Sequence, residues 1–154
     1  MRTQAKKAPQ PAVIMALAVS PAVDRDGVLF AVTNEGALLT SSNRGATWEP
    51  VKLPGSGLAM SVALSPTFPD DGLAWVSLPE GVIVWSPDRG RTWRDSYITR
   101  QASAASVLAP SPKVMEDGLV LAATLDDGVL RSLDRGRTWS PANFGLLDLK
   151  TLGI

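Results

Sequence analysis

Residues 86–93 read SPDRGRTW, and the chain repeats them as SLDRGRTW at 132–139 and more loosely as SSNRGATW at 41–48. The three central glycines, Gly45, Gly90 and Gly136, set a period of 45 to 46 residues. Self-similarity at a fixed period decides the architecture before any local propensity does. Other landmarks keep the same step. Ser20-Pro21, Ser65-Pro66 and Ser111-Pro112 are each separated by four residues from an Asp-Gly pair, Asp26-Gly27, Asp71-Gly72 and Asp117-Gly118. A second turn glycine follows in each unit, Gly36, Gly81 and Gly128.

Between these turns lie short runs rich in Val, Leu and Trp: VLFAVT, LAWVSL and LVLAAT, then ALLTS, VIVWS and VLRS. Runs of this length bounded by Gly, Pro and Asp are strands. A turn signal every eight to ten residues leaves no room for a long amphipathic helix. Each unit therefore predicts four antiparallel strands, with A ending at Ser-Pro, B after Asp-Gly, C after the second glycine and D at the motif Trp. Four strands in about 40–50 residues is a propeller blade. The expected fold is all-β: a β-propeller of four-stranded antiparallel blades, three per chain, closed by oligomerisation. The expected divisions are an N-terminal arm over 1–12, blades over 13–57, 58–102 and 103–146, and a C-terminal strand over 147–154 acting as a latch toward a neighbouring blade or chain.

The repeated motif has a structural explanation of its own. Asn43, Asp88 and Asp134 are placed to accept backbone N–H groups two or three residues on. The three glycines suit a positive φ or a close backbone approach. Thr47, Thr92 and Thr138 tie back across the turn, and Trp48, Trp93 and Trp139 are expected to bury their rings between neighbouring sheets. With Ser41, Ser86 and Ser132 at its head, the pattern Ser-x-Asp-x-Gly-x-Thr-Trp resembles the Asp-box, or bacterial neuraminidase repeat. That repeat occurs in sialidases, sortilin-type receptors, some glucan hydrolases and photosystem II assembly factors. The resemblance covers the chain from about residue 13 onward, with Asn43 replacing Asp in the first copy. It implies a sialidase-like propeller fold, with the boxes structural and away from the ligand, and it says little about function.

Composition narrows the chemistry. Of 154 residues 45% are hydrophobic and 19% charged, as in folded globular domains. Lys plus Arg and Asp plus Glu number 15 each, so no net field favours nucleic acid or an anionic surface. Histidine and cysteine are absent, which removes imidazole bases, imidazole-paired nucleophiles and disulfides. No stretch approaches a membrane span. The N-terminal AVIMALAVSP has the look of a signal segment, yet it aligns with LAMSVALSP and SAASVLAPSP of the later units. It is therefore expected to be a strand, which favours a cytoplasmic protein over a secreted one.

For an enzyme of the sialidase type, the resemblance implies an arginine triad, a tyrosine nucleophile with a supporting Glu, and an acid. The single tyrosine, Tyr97, stands among Arg94, Asp95 and Arg100, but it reads as an edge-strand aromatic. The acidic pairs Asp70-Asp71, Glu116-Asp117 and Asp126-Asp127 could serve glycoside hydrolysis or calcium, yet all lie in turns beside glycine. Arg44, Arg89, Arg91, Arg135 and Arg137 are brought to one face by the repeat. They are candidates for anion or partner binding, set against the blander expectation of a salt-bridged rim. The opposite face, with Glu35, Glu80, Asp126, Asp127 and the connections at 53–59 and 98–104, is the first place to search for a partner. No catalytic residue, metal or cofactor is assigned. The expected role is a non-catalytic scaffold for protein interaction or assembly. The alternative is a carbohydrate-binding or glycoside hydrolase propeller, or a fragment of one. Self-association head-to-tail into six blades is expected, or closure by an unlike partner.

Overall fold

The computed structural model describes residues 12–99 and 102–146. The short strands pair as antiparallel meanders. The first sheet runs in the order β1 (Ile14–Val19), β2 (Leu29–Thr33), β3 (Leu38–Ser41) and β4 (Glu49–Pro50). The second runs β5 (Ser61–Leu64), β6 (Ala74–Ser77), β7 (Ile83–Ser86) and β8 (Arg94–Asp95). A short β9 (Tyr97–Ile98) follows, and the third sheet runs β10 (Ala105–Pro110), β11 (Val120–Thr124), β12 (Val129–Ser132) and β13 (Thr138–Pro141). The first strands of successive sheets, β1, β5 and β10, lie side by side.

Two features depart from the sequence expectation. The third sheet has five strands, because β9 joins it in parallel beside β13. The Tyr97 and Thr99 amides donate to the Arg137 and Trp139 carbonyls at 2.8 and 3.0 Å, and Ser96 Oγ donates to the Gly136 carbonyl at 2.5 Å. The outgoing connection of the second unit thus covers what would be a bare edge. Each A–B turn also winds into one helical turn: α1 (Val23–Asp26), α2 (Phe68–Asp71) and α3 (Val114–Asp117). Each ends on a left-handed glycine, Gly27, Gly72 or Gly118, whose N–H caps the carbonyl four residues back.

The side chains of each strand alternate between two neighbours. In the second sheet Leu64, Ala74, Val76 and Val84 pack toward the first sheet against Phe30, Val32 and Leu38. Ala63, Trp75, Ile83 and Trp85 pack toward the third against Leu108, Val120, Leu130 and Trp139. The middle sheet is therefore apolar on both faces, which a period-2 strand achieves only when both sides are covered. Phe30 and Phe68 meet edge to face at 6.3 Å.

The motif tryptophans divide by position. Each faces the sheet before its own: Trp139 is 1% exposed between the second and third sheets, and Trp93 is half-buried against the core between the first and second. Trp48 is 38% exposed. The expected burial of Trp48 fails because no described sheet precedes the first.

Candidate functional surfaces

One end of the three sheets is built from the motif turns and the helical turns. Ser86 is fully buried and acts as the hub of the motif. Its Oγ donates to Asp88 Oδ1 at 2.9 Å and accepts the amides of Asp88 and Gly90 at 3.3 and 2.8 Å. Asp88 accepts the Thr92 amide at 2.8 Å and the Thr92 hydroxyl at 2.6 Å, reaching four residues on rather than two or three. Asp134 repeats this with Thr138 and adds the Arg137 amide at 3.0 Å. In the first copy Asn43 accepts the Thr47 amide at 2.9 Å and donates Nδ2 to the Thr47 hydroxyl at 2.7 Å. The sequence displays the serine three times but not its role, which only its burial reveals.

A second staple sits beside the first. Ser20, Ser65 and Ser111 donate to Asp26, Asp71 and Asp117 at 2.7, 2.5 and 2.6 Å, while those carboxylates accept the amides of Val28, Leu73 and Leu119. Arg44, Arg89 and Arg135 join the two staples. Each has a positive φ, donates its amide to the Gly27, Gly72 or Gly118 carbonyl, and turns its guanidinium onto a helical-turn carbonyl, that of Asp24, Pro69 or Met115. The salt-bridged rim expected from sequence is thus replaced by arginine–carbonyl ties and carboxylate–hydroxyl staples.

Arg137, with Arg94 beside it, meets an aromatic floor. Arg94 and Arg137 each stand 5.3 Å from the centre of the Trp85 ring. With Arg135 and Asp71 they line a cleft of about 250 Å³. Arg91 is exposed, and Arg44 borders a different groove with Val19 and Leu29. The five candidate arginines share one end of the sheets, where Arg44 lines one cleft and Arg135 and Arg137 line another.

Acid should probe the motif directly. Partial burial raises the Asp88 carboxyl, but the Thr92 hydroxyl and amide, the Ser86 hydroxyl and the Arg91 amide outweigh it and hold it below the usual carboxylate range. Asp134 is lowered in the same way by Thr138, Ser132 and Arg137. A carboxylate depressed in the folded state stabilises above its unfolded pKa of about 3.9, and that contribution is lost as pH falls below it toward the folded value. Asp88→Asn, which copies Asn43, should keep near-native stability at pH 7 and flatten the loss of stability below about pH 4. Asp88→Ala should cost about 1–2 kcal/mol at neutral pH, the lower part of the range for lost partners because Thr92 is exposed to water. Urea melts across pH check both; a steep acid limb unchanged in Asp88→Asn would refute the assignment.

The opposite end carries a different surface. Met15, Val32, Leu58, Met60 and Pro79 line an apolar groove of about 370 Å³ between the first two sheets, with Asn34 and Glu35 at its rim. Met15 is 66% and Leu58 42% exposed. Methionine lines adaptable, apolar binding surfaces.

The residues considered for hydrolysis do not converge. The Tyr97 ring is 68% exposed on β9, Arg94 is turned onto Trp85, and Arg100 lies outside the described residues. Asp71 and Asp117 are held by serine hydroxyls, and Asp127 accepts the Ser103 amide at 2.6 Å. Among the described residues no three acidic side chains gather to hold a metal ion, and no helix is long and apolar enough to cross a membrane.

No family model matches the chain, and no curated protein matches it. Solved structures do. YCF48 bound to a D1 peptide aligns at TM-score 0.59 and 16% identity, over 92% of this chain and 44% of that one. The fold is a partial β-propeller. YCF48 from Cyanidioschyzon merolae aligns at 0.61 and 20%, over 85% of this chain and 38% of the other. The GH74 xyloglucanase from Xanthomonas campestris aligns at 0.57 and 23%, over 83% and 23%. The chain spans less than half the length of each of these structures.

Proposed function

We propose that this chain is a non-catalytic Asp-box propeller that serves as a protein-interaction or assembly scaffold, taking an apolar peptide segment into the groove lined by Met15, Leu58 and Met60. The observation that carries this reading is the groove itself, an exposed apolar concavity on the end away from the motif turns. The motif end supports it by contrast, since its hydroxyls and carboxylates are engaged within their own turns. A structural neighbour holding a peptide is consistent with the role. Completion of the ring by a like or an unlike chain belongs to the same reading.

Selection from a library of displayed unstructured peptides tests it. Apolar sequences should be enriched, their binding should fall at least tenfold in Met60→Asp, and Arg91→Ala should leave it unchanged. The competing reading is a carbohydrate-active propeller, as in the xyloglucanase neighbour. Turnover of xyloglucan or a fluorogenic sialoside that vanishes in Tyr97→Phe or Asp127→Ala would overturn the scaffold in its favour.

A further inference from the structure

The repeat shows what an uncovered face of this fold is built to meet. Strand register fixes equivalent rows across the three sheets: Ala18–Phe30–Thr40, Ala63–Trp75–Trp85 and Ala109–Leu121–Arg131. The first two rows face the following sheet, through Phe30 and Trp75 in the two cores. The adjacent rows face the preceding sheet: Val19–Leu29, Leu64–Ala74 and Pro110–Val120. Among the described residues, two faces of this kind have no neighbour, the preceding face of the first sheet and the following face of the third. Leu17, Val19 and Trp48 are exposed on one, and Val107 on the other.

These two faces carry the same rows that meet in the two internal contacts. At strand A, the row facing the next sheet begins with an alanine in all three sheets, Ala18, Ala63 and Ala109, and the row facing the preceding sheet begins with a larger residue, Val19, Leu64 or Pro110. At strand B, Phe30 and Ala74 share the core between the first two sheets, and Trp75 and Val120 share the core between the second and third; the open faces offer Leu121 and Leu29. In each internal contact an aromatic ring seats on the motif glycine of the next sheet. A Cβ on Gly90 would lie 2.7 Å from Phe30, and one on Gly136 would lie 2.2 Å from Trp75. Gly45 has the same left-handed backbone, but only Trp48 and Leu29 of its own sheet lie near it.

Charge follows the same pattern. The position after each motif glycine is Arg91, Arg137 or Ala46. Arg137 packs on Trp85, the outer residue of the row it meets. In the third sheet that outer residue is Arg131, and the first motif alone carries alanine where a facing arginine would repel it.

We infer that the open faces of the first and third sheets are two halves of one interface, by which two copies of this chain close head-to-tail into a ring of six sheets. Leu121 of each copy covers Gly45 of the other, and Arg131 stands beside Ala46. Both faces are covered because the pairing is heterologous and closes after two copies. This pairing is independent of the ligand taken by the Met15–Met60 groove.

Sedimentation velocity of the 154-residue chain at tens of micromolar tests it. The expected species has twice the 16.3 kDa chain mass. Leu121→Glu should sediment as a monomer with unchanged far-ultraviolet circular dichroism, because Leu121 is only partly buried in the single chain. Ala46→Arg should weaken the dimer about tenfold at low salt, and Arg131→Glu in the same chain should restore it. Ala46 and Arg131 are both exposed, so folding is not at stake in that pair. A folded wild-type monomer overturns the inference. So does a dimer that survives Leu121→Glu, or an Ala46→Arg defect that Arg131→Glu fails to repair.

Discussion

Trp139→Ala is expected to remove about 3–5 kcal/mol of folding stability, the range for deleting a large buried ring. The ring is 1% exposed and packs among Trp75, Trp85 and Leu130 where the second and third sheets meet. Its indole N–H donates to the Gly136 carbonyl at 3.0 Å, and truncation leaves that carbonyl with the Ser96 hydroxyl, so the loss is one of packing. The same substitution at the other two motifs should not cost the same. Trp93 makes the equivalent bond to the Gly90 carbonyl at 3.1 Å but is only half-buried, which places its loss at about 2 kcal/mol. Trp48 is exposed within the single chain, and its removal should cost the monomer about 0.5 kcal/mol or less. Urea denaturation at a concentration low enough to hold the chain monomeric reads the series. Equal losses at all three positions would contradict the directional packing of the sheets.

That gradient also marks what the sequence could and could not reveal. The period of 45 to 46 residues, the turn residues and the β-type runs were enough for an all-β propeller with four-stranded units. These are local signals, and hydrogen bonding within each meander obeys them. The fate of each Trp was not legible, because three near-identical motifs occupy three different environments. Burial depends on whether a sheet stands in front of the motif, and that is a property of the whole array. The fifth strand of the third sheet was hidden for a similar reason. Tyr97 and Ile98 have ordinary strand propensity, and only the open edge of β13 recruits them. The five arginines were visible as a repeat, but their carbonyl ties were not. Those ties require the positive φ at Arg44, Arg89 and Arg135, an unusual backbone for a non-glycine residue that spacing alone does not announce. The apolar groove combines Met15, the turn at Asn34 and Glu35, and Leu58 through Met60, segments far apart in the chain that meet only after the first two sheets pack.

Gly136→Ala is the single-methyl change with the largest expected penalty. Gly136 has φ +86°, where a side chain costs about 1–2 kcal/mol on backbone grounds alone. The added Cβ would also lie 2.2 Å from Trp75 Nε1 and 2.5 Å from Cδ1, contacts that no unshifted structure tolerates. Trp75 has little freedom to retreat. It is fully buried, and its indole N–H is fixed to the Arg135 carbonyl at 2.9 Å. Forcing that ring aside adds about 1–3 kcal/mol of overpacking and loosens the contact between the second and third sheets. Gly45→Ala provides the internal control. Its φ of +85° carries the same backbone term, yet the nearest atom to its Cβ, Trp48 Cζ2, is 3.6 Å away. Its cost in the monomer should therefore stay at about 1–2 kcal/mol, the strain by itself. The difference between the two variants in chemical denaturation isolates the steric contact of Trp75 with the motif of the next sheet. If Gly136→Ala were no more destabilising than Gly45→Ala, the seating of an aromatic ring on the glycine would be ruled out as the device that locks one sheet to the next.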